Sequence, residues 1–373
     1  MLPLAQFQRL VFDGTSTRSL HPPFFRDKKT VKPITILGGG LAGLTLGIQL
    51  RQKNVPVTLH EAGTYPRHRV CGEYLSGRAL SVVESLGLRP ALHRLGAVEA
   101  SDILLALGSS VLHRRTLPQP ALCLSRYEFD QFLVQEFTRL GGVIHLGQRV
   151  TPEAKEGTVL ATGRQPSTTE NGWRWFGLKA HARNVTLQAG LEMHLSPHGY
   201  IGLCQIENQQ VNVCGLFRSR TSIPNLATSW KSWLTHDPAS LLHQRLRHAE
   251  WNESSFRSIA ALSLSPQKAA GRFGMRIGDS LTMIPPVTGN GMSMAMEGAH
   301  LAAPSLVDWA SEKIDWTSAA QQVAQRLDST FAPRLRHARP LQQALFHPIP
   351  RSILWNLSRI FPLIPSLLFR LTR

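Results

Sequence analysis

The stretch ITILGGGLAGLTLGIQL, from Ile34 to Leu50, constrains this chain more than any other. Four mostly apolar residues lead into Gly38, Gly40 and Gly43, and an apolar helical pattern follows. The first glycine lets the chain turn sharply out of a strand. The second lets phosphates approach the backbone, and the third lets helix and strand pack closely. A helix is expected from Leu41 to about Lys53, with Leu41, Leu44 and Ile48 on helical spacing. Leu41 and Ala42 open it, so free N–H groups face the phosphates. VPVTLHE (Val55 to Glu61) reads as the next strand and places Glu61 to accept hydrogen bonds from an adenosine ribose. Strand, turn, helix, strand and acid at this spacing predict a dinucleotide site. The turn alone does not choose between NAD and FAD.

Strand–helix alternation continues downstream. Ser125 and Glu128 have capping-box spacing, which predicts a helix starting at Arg126 and ending at Gly141-Gly142. VIHL and GTVLATG follow as strands. From about Trp173 to Leu264 the pattern changes. LEMHLS, GYIGLCQI and VNVCGLF are short β runs, ENQQ marks a hairpin turn, and a helix is expected from about Leu226 to His248. The α/β character then returns. The expected fold class is α/β: a Rossmann-like cofactor domain with an inserted antiparallel β-sheet substrate domain and a helical C-terminal tail. The boundaries are 33–172 plus 265–310 for the discontinuous cofactor domain, 173–264 for the substrate domain and 311–373 for a basic helical region. Residues 1–32 read as a flexible lead-in, or as residues upstream of the native start.

Composition narrows the setting. The 373 residues are 42% hydrophobic, which excludes general disorder. Four cysteines, Cys71, Cys123, Cys204 and Cys214, form no CxxC pair and no metal-ligand spacing. A reduced, cytoplasmic location and no metal are expected. A net charge of +17 favours an anionic partner such as a membrane surface or an acyl carrier, and no nucleic-acid-binding signature is present. The segment from Ser329 to Arg373 has no acidic residue, and its run IFPLIPSLLF is too short to span a bilayer, which takes ~20 apolar residues. It reads as a basic tail suited to peripheral membrane contact, on the inner face, or as a helical cap on the cofactor domain.

RIGDSLTMIPPVTGNGMSMAMEGAHLAA (Arg276 to Ala303) decides between the dinucleotides. With the first motif it resembles the FAD-dependent oxidoreductases of the p-hydroxybenzoate hydroxylase and geranylgeranyl reductase superfamily, over roughly Ile34 to Leu306. That resemblance implies that Asp279 binds the ribityl chain of FAD, and that Gly289 and Gly291 bring backbone N–H groups to the electron-rich edge of the flavin. A helix N-terminus stabilises negative charge there. In YPRHRVCGEYLSG, Cys71-Gly72 matches the Cys-Gly pair of the reductase branch, close to the flavin ring, and Arg69 is placed to reach the pyrophosphate. In LSRYEFD, Arg126 matches an arginine that contacts the cofactor.

The chain also departs from that family. Thr162-Gly163 stands where the hydroxylases carry Asp-Gly, the motif tied to NAD(P)H use, so NAD(P)H is expected only as an external electron donor. Tyr200 is kept from the reductases' Tyr-x-Trp-x-Phe-Pro stretch, but Gly202 and Cys204 replace its Trp and Phe. WRWFGL (Trp173 to Leu178) is superficially similar to the Trp-x-Trp-x-Ile-Pro of flavin halogenases, without the Ile-Pro. No lysine, which those enzymes need, occurs between Lys53 and Lys155. The expected activity is monooxygenase-like, on an apolar, polyketide- or isoprenoid-like substrate that is free or carrier-bound. The alternatives are saturation of double bonds in the manner of geranylgeranyl reductases, with Cys71 or Tyr200 as proton source, and a redox-inactive flavin-binding protein at a membrane surface.

Overall fold

The computed structural model describes residues 31–347, apart from 154, 165–168, 170, 171, 197, 224, 236, 272 and 273. Almost all of the expected lead-in, and the tail beyond 347, therefore lie outside the described residues.

The run Ile34–Leu37 forms a strand, paired in parallel with Val57–Glu61 on one side and Thr158–Leu160 on the other. Val143–Leu146 and Met275–Arg276 complete a five-stranded parallel sheet. Parallel neighbours need a crossover, and the helix Leu41–Gln52 supplies the first. Ten consecutive residues of that helix, Leu41 to Leu50, are buried. It packs against the helices Arg126–Arg139 and Gly291–Ala310 as well as the sheet. Gly47 makes one of these contacts close: a Cβ there would lie 2.8 Å from the Phe137 ring. Ser125 caps the helix Arg126–Arg139, its hydroxyl accepting from the Glu128 N–H at 3.2 Å. The other half of the expected capping box is absent, because the Ser125 N–H donates to Glu207 instead.

The second sheet has eight strands, in the order Glu250–Ala260, Arg174–Arg183, Val211–Ser219, Gly199–Gln205, Leu191–Leu195, Val98–Leu107, Ser110–Cys123 and Tyr74–Leu75. It draws its last three strands from residues 74–123, ahead of the segment 173–264. It is also mixed, since Val98–Leu107 and Leu191–Leu195 run parallel. Side chains alternate between its faces. One face buries Phe176, Leu178, Val213 and Phe217 against Trp230 and Leu234. The other carries Trp175, Tyr200 and Leu216, with Val287 and Phe346 packed on them. The single helix expected from Leu226 to His248 is two, Leu226–Thr235 and Leu241–Leu246. Pro238 has no N–H to continue a helix, and Ser240 starts the second by accepting from the His243 N–H.

The helix Trp316–Phe346 buries Val323, Leu327, Phe331 and Leu335 in the core around the parallel sheet. The described part of the basic C-terminal region is thus a packed helical cap. Among the described residues no helix is long and apolar enough to cross a membrane. Arg334 fixes the cap through paired bonds to Glu297, at 2.5 and 2.9 Å, with both side chains buried. Removing one partner of a buried pair leaves the other charge uncompensated. Arg334→Met should therefore lower the unfolding free energy by about 3 kcal/mol or more. Arg334→Met with Glu297→Gln should recover much of that loss. Urea unfolding of the three proteins checks both, and equal losses would rule out the ion pair as the cause.

Candidate functional site

The glycines of the first turn divide into two kinds. Gly38 has φ +110°, and a Cβ there would collide with the carbonyl of Ala161. A Cβ on Gly43 would collide with the Gly38 carbonyl. These two serve the crossing of strand, helix and the segment after Thr158–Leu160. Gly40 differs: its φ is ordinary and a Cβ there would meet nothing within 4 Å. No protein contact requires a glycine at Gly40, and the space beside it is open. Leu41 and Ala42 follow as the first buried residues of the helix.

The second motif repeats this arrangement. Gly278 (φ +61°) packs against the first helix, where a Cβ would lie 2.8 Å from Ala42 Cβ. Gly289 (φ +64°) packs against the Tyr74 hydroxyl, and Gly291 is open on all sides. Asn290 precedes the helix Gly291–Ala310 without capping it through its side chain, and the first turn holds no acid. The helix Leu41–Gln52 likewise has no side-chain cap and no acid in its first turn. Ser125, Ser240 and Asp315 do cap their helices. The helices Arg78–Ser85 and Arg89–Arg94 also lack side-chain caps, but the N-termini of Leu41–Gln52 and Gly291–Ala310 each follow an open glycine position and are linked through the Gly278–Ala42 contact. Orphan N–H groups and the positive end of a helix dipole suit an anion.

Glu61 ends its strand as expected. Its carboxylate accepts from the N–H groups of Gly39 and Gly63, each at 2.8 Å, and from Arg67 at 2.6 Å. Burial pushes the Glu61 carboxyl up, but Arg67 and the two N–H groups outweigh it and hold it at about 2. Tyr65 donates to the Gly39 carbonyl and stacks under Arg67. Sequence reading did not find Tyr65 or Arg67, since no spacing rule marks them. Arg69 stands beside Arg67 and Arg126 and makes no ion pair among the described residues. Arg126 is held by Asp130 through bonds of 2.6 and 2.7 Å, one helical turn away.

Asp279 keeps an exposed surface, yet enough protein crowds its carboxyl for burial to matter. That surround pushes its carboxyl up to about 6, against the pull of Arg126 and Arg164. Arg164, two residues after Thr162, is a third side chain that sequence reading missed. A separate cavity of about 220 Å³, lined by Lys155, Arg276, Trp316 and Leu327 among others, shares no residue with the glycine turns.

The two candidate catalytic residues do not meet. Cys71 lies in the strap His68–Tyr74, which is stitched to the mixed sheet. The Asn212 amide donates to the Cys71 carbonyl at 3.0 Å, and the Cys204 thiol to the Gly72 carbonyl at 3.3 Å. Tyr200 is four residues from Cys204 on the same strand and face, ~13 Å along it. Tyr200 is buried among Trp175, Leu216 and Phe346. Burial pushes both the Cys71 thiol and the Tyr200 hydroxyl up, so both stay protonated. An activated thiolate at Cys71 does not fit this setting.

Comparison with known proteins places this geometry. The model of the squalene epoxidase family matches residues 170–339. A tryptophan 2-halogenase of Chondromyces crocatus is 22% identical over 333 residues, covering 77% of this chain but only 63% of the halogenase, under two thirds of its length. A brominase of a pyrrole-2-carbonyl group on a peptidyl-carrier protein, from Pseudoalteromonas luteoviolacea, is 22% identical, with 80% of this chain and 85% of the relative covered. The flavin-dependent brominase Bmp2 superposes with a TM-score of 0.72 at 18% identity, over 91% of this chain and 92% of the brominase. PqsL, a probable FAD-dependent monooxygenase from Pseudomonas aeruginosa, gives 0.65 at 14% identity, over 86% and 98%. Halogenases stand among these relatives although the chain lacks the Ile-Pro of their motif. Neither the hydroxylase nor the reductase branch is singled out by these likenesses. The chain has the fold shared by flavin-dependent halogenases and monooxygenases.

Proposed function

We propose that the chain is an FAD-dependent oxidoreductase of the monooxygenase type. The observation that carries this reading is a pair of helix N-termini without side-chain caps, each beside an open glycine and brought together by the Gly278–Ala42 contact next to Asp279. Gly38, Gly40, Leu41, Ala42 and Gly43 would hold the pyrophosphate, with Arg69 as its unpaired cation. Glu61 would take the adenosine ribose, its ionised carboxylate already fixed by Arg67. Asp279 would hold the ribityl chain, with Arg126 and Arg164 balancing its charge. Gly289 and Gly291 would offer N–H groups to the ring edge. The cofactor part is 33–172 with 265–310. The substrate side is 173–264, extended by the strands between 74 and 123.

Bound FAD would supply the redox chemistry, storing an electron pair and passing it to oxygen. The protein's own residues would bind, orient and exclude water. The mixed sheet presents Trp175, Leu195, Tyr200 and Leu216 on the face shared with the strap, and Phe346 and Val287 cover them. This apolar face supports an apolar substrate. The peptidyl-carrier substrate of one relative supports a carrier-bound form. Thr162-Gly163 supports electron supply from outside, with NAD(P)H as the ultimate donor.

Halogenation is the second reading, favoured by two halogenase relatives. The amine it requires has one buried candidate, Lys179, but that ammonium is engaged by Glu73 at 3.1 Å. Product mass separates the readings. FAD-loaded protein supplied with reductant, oxygen, bromide and an apolar or carrier-bound substrate should yield a product heavier by one oxygen atom. Bromine in place of hydrogen would establish halogenation instead.

Two substitutions test the cofactor assignment. Asp279→Ala should weaken FAD binding by roughly 10- to 100-fold, the worth of a hydrogen bond to a charged group. Unchanged affinity would remove Asp279 from the site. Gly40→Ala should keep thermal stability within about 1 kcal/mol of the parent while weakening FAD binding. Gly38→Ala should instead lose stability, because its Cβ strikes backbone. Fluorescence titration and thermal unfolding on the same samples check both outcomes.

A further inference from the structure

Four side chains run in series beside the strap His68–Tyr74. His68 Nδ1 is 3.3 Å from Lys179 Nζ. Lys179 Nζ is 3.1 Å from Glu73 Oε1, and Glu73 Oε2 is 2.6 Å from His181 Nε2. Lys179 and Glu73 are fully buried, His181 is 2% exposed, and His68 alone is half-buried. The series therefore has one end at solvent and the rest inside. Glu73, its inner carboxylate, abuts residues assigned above to the cofactor, while the His181 ring folds back to within 5.1 Å of the His68 ring. Glu73 Oε1 also accepts from the Arg126 N–H at 2.9 Å, and the next residue, Tyr74, packs on Gly289.

Stability is a weak explanation for such a series. Desolvation costs several kcal/mol per buried ion, and apolar side chains of similar volume often serve as well. What charged groups add is exchangeable protons. Lysine can only donate, so His68 Nδ1 accepts from Lys179 and its Nε2 carries the ring proton. The His68 ring faces Lys179, His181 and Arg257, with Glu73 as the one carboxylate, and stacks on Tyr127. Burial, with the positive charges of Lys179 and Arg257, holds the imidazole down to about 4, so it is neutral at physiological pH.

We propose that His68, Lys179, Glu73 and His181 form a proton relay between solvent and the strap side of the cofactor cleft, with His68 as its outer end. The proposal rests on the flavoenzyme reading. For delivery inward, Lys179 gives a proton to Glu73 and is left as the amine; the His68 ring, brought to its Nδ1–H tautomer by exchange with water, returns a proton to that amine from Nδ1 as water protonates Nε2. For release, Lys179 passes a proton to His68 Nδ1 while Nε2 gives its own to water. Each transfer conserves charge along the series.

The test needs no substrate. Reoxidation of the anionic reduced flavin by oxygen consumes one proton for each molecule reduced to hydrogen peroxide. FAD uptake is first titrated for the parent, His68→Ala and Lys179→Met. No uptake by the parent would overturn the flavoenzyme reading and the relay with it. With FAD bound, the proteins are reduced with dithionite, and reoxidation by dissolved oxygen is timed in H2O and D2O. His68→Ala should slow it about tenfold or more, and free imidazole should restore the rate. Lys179→Met should slow it without rescue. Equal rates and equal solvent isotope effects in His68→Ala and parent would overturn the relay alone. The FAD-free protein gives an independent reading by NMR: Lys179→Met should raise the titration midpoint of the His68 ring. An unmoved midpoint would overturn the contact on which the series depends.

Discussion

At Gly38 and Gly43 the backbones of three segments come so close that no side chain fits between them. The Gly38 Cα faces the Ala161 carbonyl, and the Gly43 Cα faces the Gly38 carbonyl. Gly278 adds a fourth segment by resting on Ala42. This crossing fixes where the helix Leu41–Gln52 begins and holds its N-terminus beside the segment that leads to the helix Gly291–Ala310. On the FAD reading, both sets of orphan N–H groups would face one cofactor cleft. A Cβ at any of the three would push these elements apart, and the cleft would lose its shape before it lost its charges. The glycines are first a packing requirement, and the anion site follows from it.

The second constraint is the tie between the two sheets. The strap His68–Tyr74 leaves the parallel sheet and is bonded to the mixed one through Asn212, Cys204, Lys179 and His181. Glu73 is the hub, and it holds a left-handed backbone, φ 57°, that a non-glycine residue seldom adopts. Its carbonyl accepts from the Leu124 N–H, and its carboxylate accepts from the Arg126 N–H, Lys179 and His181. Burial pushes the Glu73 carboxyl up, and Lys179, His181 and the Arg126 N–H together bring it below the usual carboxylate range. One side chain thus sets the strap, the start of a helix and the height of the mixed sheet over the cleft.

How much of this could be read from sequence follows from how local each feature is. The strand–turn–helix at Ile34 to Gln52, the Ser125 cap and the turn at Gly289 depend on neighbours a few residues apart, and they were legible. Tyr65, Arg67 and Arg164 act across folded loops, and the pairing of Glu73 with Lys179 spans 106 residues, so no spacing announced them. The strands Val98–Leu107 and Ser110–Cys123 escaped for another reason. Their exposed stretches carry polar residues and Pro118 and Pro120, which mask a β pattern and made the segment look like part of the cofactor region. The split at Pro238 and Ser240 was marked in the sequence, but the apolar periodicity on either side read as continuous.

The geometry also weighs between oxygen chemistry and double-bond saturation. Saturation needs a proton donor set against an apolar substrate. Tyr200 lies on the apolar face, but it is buried among Trp175, Leu216 and Phe346, with Cys214 and Tyr74 near its hydroxyl, and burial keeps that hydroxyl protonated. Cys71 belongs to the strap itself, where its thiol sits between Arg126 and the Glu73 N–H. The titratable groups Lys179, Glu73, His68 and His181 gather on the strap side, where His68 alone is partly exposed, and Trp175, Leu195 and Leu216 form the apolar part of the face. Under the proposed relay, protons arriving there would serve chemistry at the cofactor and not on the substrate. That division of the sheet face, polar at the strap and apolar beyond it, suits a reaction that consumes protons while reducing oxygen and keeps water off the rest.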